Sequence, residues 1–297
     1  MKCLFIYNPN SGRGKIKKKE SYIVDKLKTK YTVVDVVQTK YQGHAYNYVS
    51  KEYGLYDTVV IAGGDGTLNE IINAIAEKPN APTIGYIPTG TVNDLAHSLK
   101  IPKNIKKAVQ IILNGKLFNH DIFKCNNKYG IYVCTTGLFT DTSYSTKQTD
   151  KNKLGKLAYY LYGAKKIFKT DPINVKITYD DKLIEKNCAL LLILNSKQVS
   201  GFKINKNAIL DDGYVDVVMI DAPKKKGFSL FSLIRVFKLF LFGLNYCKNK
   251  KNITYLKLKD FKVQLKSKAK INLDGEQGFK GTFDFKSIKK GVSIFIK

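Results

Sequence analysis

Tryptophan is absent from this chain, and only two arginines, Arg13 and Arg235, stand among its 51 basic residues. Acidic residues number 24, leaving a net charge of +27 carried almost wholly by lysine. Arginine is the side chain that forks onto phosphates and base edges, so its scarcity argues against a nucleic-acid-binding protein. A surface of this sign still draws polyanions, and an anionic bilayer is the other candidate partner. Abundant Lys, Asn and Ile without Trp also fits the bias of an AT-rich genome, which would explain part of the charge without any partner. The five cysteines, Cys3, Cys125, Cys134, Cys188 and Cys247, show no paired spacing. That argues against zinc and a disulfide framework and for a reducing, cytoplasmic setting. His44, His97 and His120 show no ligand spacing either. No apolar run reaches eighteen residues, so no spanning helix is expected. The opening MKCLFIYNPN is too short an apolar run for a signal peptide and reads as a first strand.

What is present suits a globular protein: 44% hydrophobic residues over 297 positions, enough for two cores. Up to about His120, apolar runs (CLFIYN, TVVDVVQT, TVVIAG, TIGYIP) alternate with helical patterns. That alternation predicts an α/β domain with a doubly wound parallel sheet. Beyond it, runs such as INVKITY, CALLLILNS, YVDVVMID and ITYLKLKDFKVQLK predict a β-rich, sandwich-like second domain, with helices near residues 154–168 and 228–242. The expected division is 1–120 and 121–297, with the last strand free to return to the first domain.

In a parallel sheet, ligands bind beyond the carboxyl ends of the strands. Three turns rich in Gly or Asn lie there: NPNSGRGK, GGDGTLNE and PTGTVND. In the second, Asp65 lies among Gly63, Gly64 and Gly66 where a strand becomes a helix. Turn geometry alone accounts for one or two of these glycines. Glycines also let a ligand approach the backbone, and N–H groups at a helix start favour phosphate. A carboxylate there would repel phosphate unless a divalent cation lay between them, so the stretch reads as a site for a nucleotide with its metal. Ser11, Gly12 and Gly14 suggest a similar backbone cradle, with Arg13 and Lys15 either meeting phosphate or solvating a helix start.

These three motifs, together with LDDGYVDVVMI and LDGE further on, resemble the diacylglycerol kinase catalytic family, with sphingosine and ceramide kinases as more distant relatives. The resemblance spans nearly the whole chain, whereas the Gly-Gly-Asp-Gly turn alone is shared with NAD kinases and phosphofructokinases. It implies transfer of the ATP γ-phosphate to a lipid hydroxyl, from diacylglycerol to phosphatidic acid, in a cleft between the two domains. It further implies ATP contacts at Asn10, Ser11, Gly12, Arg13, Gly14, Thr39, Gly63, Gly64, Asp65, Gly66, Thr67, Leu68, Asn69 and Thr91. Asp65 would hold the nucleotide's Mg²⁺, and Glu276 would be the general base. A structural Mg²⁺ is implied at Asp212 and the carbonyls of Ile209 and Tyr214, although an Asp- and Gly-rich turn explains that stretch equally.

Other readings stay open at this level. Asp94 could support the metal or cap the helix that follows it. Asp274 and Glu276, two apart on a strand-like stretch, would face the same way into the cleft. In KKKGFSLFSLIRVFKLFLFG, Ser229, Ser232, Arg235 and Lys238 form a skewed polar stripe beside a wide apolar face. That helix either packs on the second domain or meets lipid, flanked by Lys224–Lys226 and residues 248–251. The expected setting is the cytoplasm, with peripheral contact at the membrane's inner face and a homodimer left open. The residues leave the lipid undetermined: sphingoid bases and undecaprenol also present a hydroxyl on an apolar tail.

Overall fold

A computed structural model describes residues 1–137, 172–222, 230–247, 250–266 and 269–297. The N-terminal part runs β1 (Lys2–Tyr7), α1 (Glu20–Lys28), β2 (Val33–Gln38), α2 (His44–Lys51), β3 (Thr58–Gly63), α3 (Asp65–Ile75), β4 (Thr83–Pro88), α4 (Asp94–Ser98) and α5 (Ile105–Asn114). Two short 3₁₀ turns, Ser11–Gly14 and Lys17–Lys19, lie between β1 and α1. Strands β4, β3, β1 and β2 pair in that order, all parallel. Buried side chains along the whole of β3 mean that both faces of the sheet are covered. The helices pack as two pairs, α1 with α5 and α2 with α3.

The rest is largely strand: β5 (Lys116–Cys125), β6 (Lys128–Gly130), β7 (Val133–Gly137), β8 (Ile173–Tyr179), β9 (Lys182–Leu194) and β10 (Val215–Asp221). Two helices follow, α6 (Leu230–Phe242) and α7 (Leu244–Cys247). Then come β11 (Ile253–Leu258), β12 (Asp260–Leu265), β13 (Lys270–Leu273), β14 (Glu276–Lys280) and β15 (Phe283–Ile296). The helix expected at 154–168 lies outside the described residues, as do Ser229, Lys224–Lys226 and residues 248–249. The long run at 253–266 breaks at Lys259 into two strands, β11 pairing with β10 and β12 with β8 and β15.

Alternate residues of β9 and β10 serve two cores. Leu191, Ile193, Val217 and Met219 join an all-β core with Phe123, Phe261 and Phe285, whose rings stack at 5.0 and 4.6 Å. Leu190, Leu192, Leu194 and Val218 join the core shared with the N-terminal sheet. Burial on both faces explains why β9 reads as an unbroken apolar run rather than an alternation. The two parts are also joined by β15, which pairs antiparallel with β5 and adds itself parallel to β4, Ile294 opposite Ile84.

Candidate active site

The loops leaving β1, β2, β3 and β4 meet at one edge of the parallel sheet. Backbone hydrogen bonds run from Asn8 N–H to the Ala62 carbonyl (3.0 Å), Thr39 N–H to Tyr7 (2.9 Å) and Thr89 N–H to Gly63 (2.9 Å). Ser11 and Thr89 share a hydroxyl hydrogen bond of 2.8 Å. The first motif's turn holds Asn10 at its start and needs positive φ at Gly12 (+60°) and Gly14 (+73°). The closest approach falls where PTGT meets GGDG. A Cβ on Gly90 would stand 2.5 Å from the Gly64 Cα, so two backbones touch where side chains cannot fit. The structure thus brings the backbone of residues 10–14, Thr39, and Gly63 to Thr67 to one sheet edge, the Arg13 side chain lying outside the described ones. Thr91, by contrast, is exposed at the rim, and its carbonyl accepts from Lys103.

Helix α3 begins at Asp65, with Gly64 as N-cap and no side chain capping it. Its first-turn N–H groups are therefore open to an anion. Leu68 faces away into the core, fully buried, and its N–H bonds to Gly64, so neither group is offered to a nucleotide. Asn69 reaches across to the second half of the chain instead. Its amide donates to Asp274 Oδ2 (2.8 Å) and to the Tyr129 carbonyl (3.2 Å).

Asp65 Oδ2 accepts from the N–H groups of Asn93 (2.9 Å) and Asp94 (3.4 Å), whereas its Oδ1 is buried with no hydrogen-bond partner. Burial, then the nearby Asp94 carboxylate, push the Asp65 carboxyl up to about 7. A buried carboxylate oxygen without a donor, beside a second acid, is suited to a cation, and Asp65 fits Mg²⁺. Asp94 has another task. Its oxygens accept from Gln198 Nε2 (3.2 Å), Gly201 N–H (2.9 Å) and Ser200 N–H, fixing the segment at 198–201 beside the turn.

Asp274 and Glu276 do not face the same way. The hairpin of β13 and β14 closes through Asp274 and Gly275, with φ of +50° and +88° and Leu273 opposite Glu276, a two-residue turn of the primed kind. The Asp274 carboxylate turns inward and accepts from Ile131 (2.7 Å), Tyr132 (3.0 Å) and Val133 (2.9 Å) N–H as well as Asn69. Burial pushes it up to about 6. It is a buried joint with every oxygen occupied. Glu276 lies exposed on the cleft side, its Oε1 3.3 Å from where a Gly66 Cβ would be, and its Oε2 accepts from Gln42 Nε2 (3.3 Å). The proposed base therefore stands over the first turn of α3.

The Asp212 turn lies elsewhere and does not fit a cation. Its carboxylate accepts from the Tyr214 N–H (2.9 Å) and pairs with the Lys257 ammonium, whose charge would repel a metal. Ile209 and Tyr214 are exposed around it. Among the described residues no group of three His, Cys, Asp or Glu side chains is placed to hold a metal.

Several members of the site escape sequence reasoning. Asn73 accepts from Tyr129 N–H (2.9 Å) and donates to its carbonyl (2.9 Å), clamping α3 to β6. Asn69 and Asn73, four apart and so on one face of the helix, were the available signal. Glu70 accepts from Gly43 (2.8 Å) and Ala45 (3.1 Å) N–H at the start of α2. Gln42 and residues 198–201 carry no pattern of their own.

Glycine-lined turns at a sheet edge, an acid at a helix start with one buried oxygen lacking a donor, and a carboxylate opposite it have the makings of a nucleotide-dependent phosphotransferase site. The diacylglycerol kinase catalytic domain model matches residues 2–125, and the YegS C-terminal NAD kinase beta sandwich-like domain model matches residues 135–286. A diacylglycerol kinase of Staphylococcus saprophyticus is 33% identical over 98% of this chain and 93% of its own length. One of Bacillus subtilis is 36% identical over 92% of this chain and 89% of its own. Two crystal structures from Bacillus anthracis str. Sterne superpose with TM-scores of 0.84 and 0.80 at 26% identity, covering all of this chain and 95% and 97% of theirs; the second is described as a diacylglycerol kinase. The chain belongs to the diacylglycerol kinase catalytic family and is an ATP-dependent lipid kinase.

Proposed function

We propose that the chain transfers the γ-phosphate of ATP to the free hydroxyl of diacylglycerol, giving phosphatidic acid, at the cytoplasmic face of an anionic membrane. The observation that carries the reading is the pairing of Asp65, with its buried unpartnered oxygen, and Glu276, poised over Gly66 on the other side of the cleft. The backbone of residues 10–14 and 63–67 binds the triphosphate, and the open N-terminus of α3 meets its negative charge. Asp65 would hold Mg²⁺, which when bound neutralises charge on the phosphates. Glu276 Oε1 orients the lipid hydroxyl and accepts its proton as the bond to phosphorus forms. Gln42 holds the other Glu276 oxygen, and the hairpin turn at Asp274 fixes where the base stands.

Glu276→Gln tests the assignment, because it keeps shape and hydrogen bonding but cannot take the proton. The expected result is a fall in kcat of about 10²–10⁴-fold with ATP affinity, measured by calorimetry, near wild type. Unimpaired turnover at saturating ATP with collapsed ATP affinity would make Glu276 a nucleotide or metal ligand and send the search for the base to Asp65. NAD kinase-like chemistry and phosphorylation of sphingoid bases or undecaprenol are the competing acceptors.

A further inference from the structure

Helix α6 is two-faced in a way that its function within a packed domain does not require. Val236 and Leu239 are fully buried, and Phe240 meets Phe202 edge-to-face at 5.3 Å. The helix ends at Gly243, where φ is +77° and a Cβ would strike the Ile204 carbonyl at 2.8 Å; Leu244 N–H then donates to that carbonyl (2.7 Å). So one side is fastened to the segment at 202–204. The other side leaves Ile234, Phe237 and Leu241 at 38%, 60% and 53% exposure. At 3.6 residues per turn these three fall within an arc of about 60°, with exposed Lys238 on the same side. Single exposed hydrophobes are ordinary; three aligned on one helix face are not.

We propose that this face of α6 seats the enzyme on an anionic lipid surface, Ile234, Phe237 and Leu241 entering the acyl boundary and Lys238 meeting the headgroups. This rests on the reading above that the acceptor is a lipid. Two observations select a membrane as the occupant. The protein's charge of +27 complements an anionic bilayer, and Lys238 and exposed Lys203 lie at the apolar patch and beside the helix end. The fastening also runs to the catalytic cleft. The segment that holds α6 begins at Gln198, Ser200 and Gly201, which bind Asp94, and Asp94 donates its own N–H to Asp65. A bilayer under α6 therefore lies one short segment from the phosphotransfer site, where a diacylglycerol hydroxyl must be presented.

The test compares wild type with the double variant Phe237→Asp/Leu241→Asp, and with Lys238→Glu, in co-sedimentation with phosphatidylcholine vesicles with and without phosphatidylglycerol. Both altered side chains of the double variant are exposed, and a melting curve checks that its fold is kept. The expected result is that the double variant binds vesicles at least about tenfold more weakly, while Lys238→Glu loses binding on anionic vesicles only. Turnover on long-chain diacylglycerol in vesicles should fall in parallel, and turnover on a short-chain, monomerically dispersed diacylglycerol should not. Vesicle binding unchanged in the double variant overturns the proposal. So does a double variant that loses self-association in light scattering yet binds vesicles normally, because the face would then belong to a second copy. Wild type without turnover on the dispersed substrate would count against the kinase reading alone, with vesicle binding still deciding the function of α6.

Discussion

Asn73→Ala cuts a joint between the helix that carries Asp65 and the half of the chain that carries Glu276. The Asn73 amide donates to the Tyr129 carbonyl and accepts from its N–H, both at 2.9 Å. A net 0.5–1.5 kcal/mol for each hydrogen bond gives a loss of about 1–3 kcal/mol. Alanine's better helix propensity returns about 0.5 kcal/mol, leaving roughly 0.5–2.5 kcal/mol. At about 2–4 °C per kcal/mol for a chain of this size, the melting temperature should drop by about 1–10 °C. Neighbouring contacts survive: Asn69 still reaches the Tyr129 carbonyl (3.2 Å), and Tyr129 OH still reaches Glu77 (2.6 Å). The variant should therefore remain folded with a looser cleft. A base displaced by a fraction of an ångström loses orientation, so kcat should fall about tenfold or more while KM for ATP changes little. Thermal melting beside steady-state kinetics reads both effects. A variant that melts and turns over like wild type would refute the claim that this clamp sets the distance between Asp65 and Glu276.

His120 is fully buried, and burial depresses it from 6.5 to about 4, so the folded protein keeps it neutral where the unfolded chain takes up a proton. The sign is a loss of stability as pH falls from 6.5 towards 4, worth up to about 3 kcal/mol; in His120→Gln the fall in urea midpoint over that window should flatten, and an unchanged slope would exonerate His120. Gly90→Ala would press a methyl group against the Gly64 Cα at 2.5 Å, where neither backbone can yield. It should widen the phosphate cradle and raise Kd for ATP at least about tenfold, for overpacking of roughly 1–3 kcal/mol, and normal ATP affinity would show that the two turns do not form one cradle.

The parallel sheet was legible because its strands are apolar runs separated by helical periodicity, and the three turns because glycine has few other reasons to cluster at strand ends. Side-chain direction was less legible. Asp274 and Glu276 look equivalent in the linear sequence. The positive φ at Asp274 and Gly275 makes their stretch a tight turn, however, and sends one carboxylate into the protein and the other into the cleft. Leu68 falls inside a motif yet faces the core, because a helix turns each successive side chain by a hundred degrees. Asp212 shows the limit of local reading most clearly. Its neutralising partner, Lys257, is 45 positions away and carries no signal of its own. The joints at Asn73 with Tyr129 and at Asp94 with residues 198–201 are likewise long-range, and only the fold reveals them.

The most direct test supplies γ-labelled ATP to the purified protein with a panel of acceptors: diacylglycerol, a sphingoid base and undecaprenol in mixed micelles, and NAD in solution. Asp65→Asn serves as the control that preserves the fold. Label appearing in phosphatidic acid, abolished in Asp65→Asn, is the predicted outcome. Label entering NAD alone, or transfer to diacylglycerol that persists in Asp65→Asn, would contradict the account.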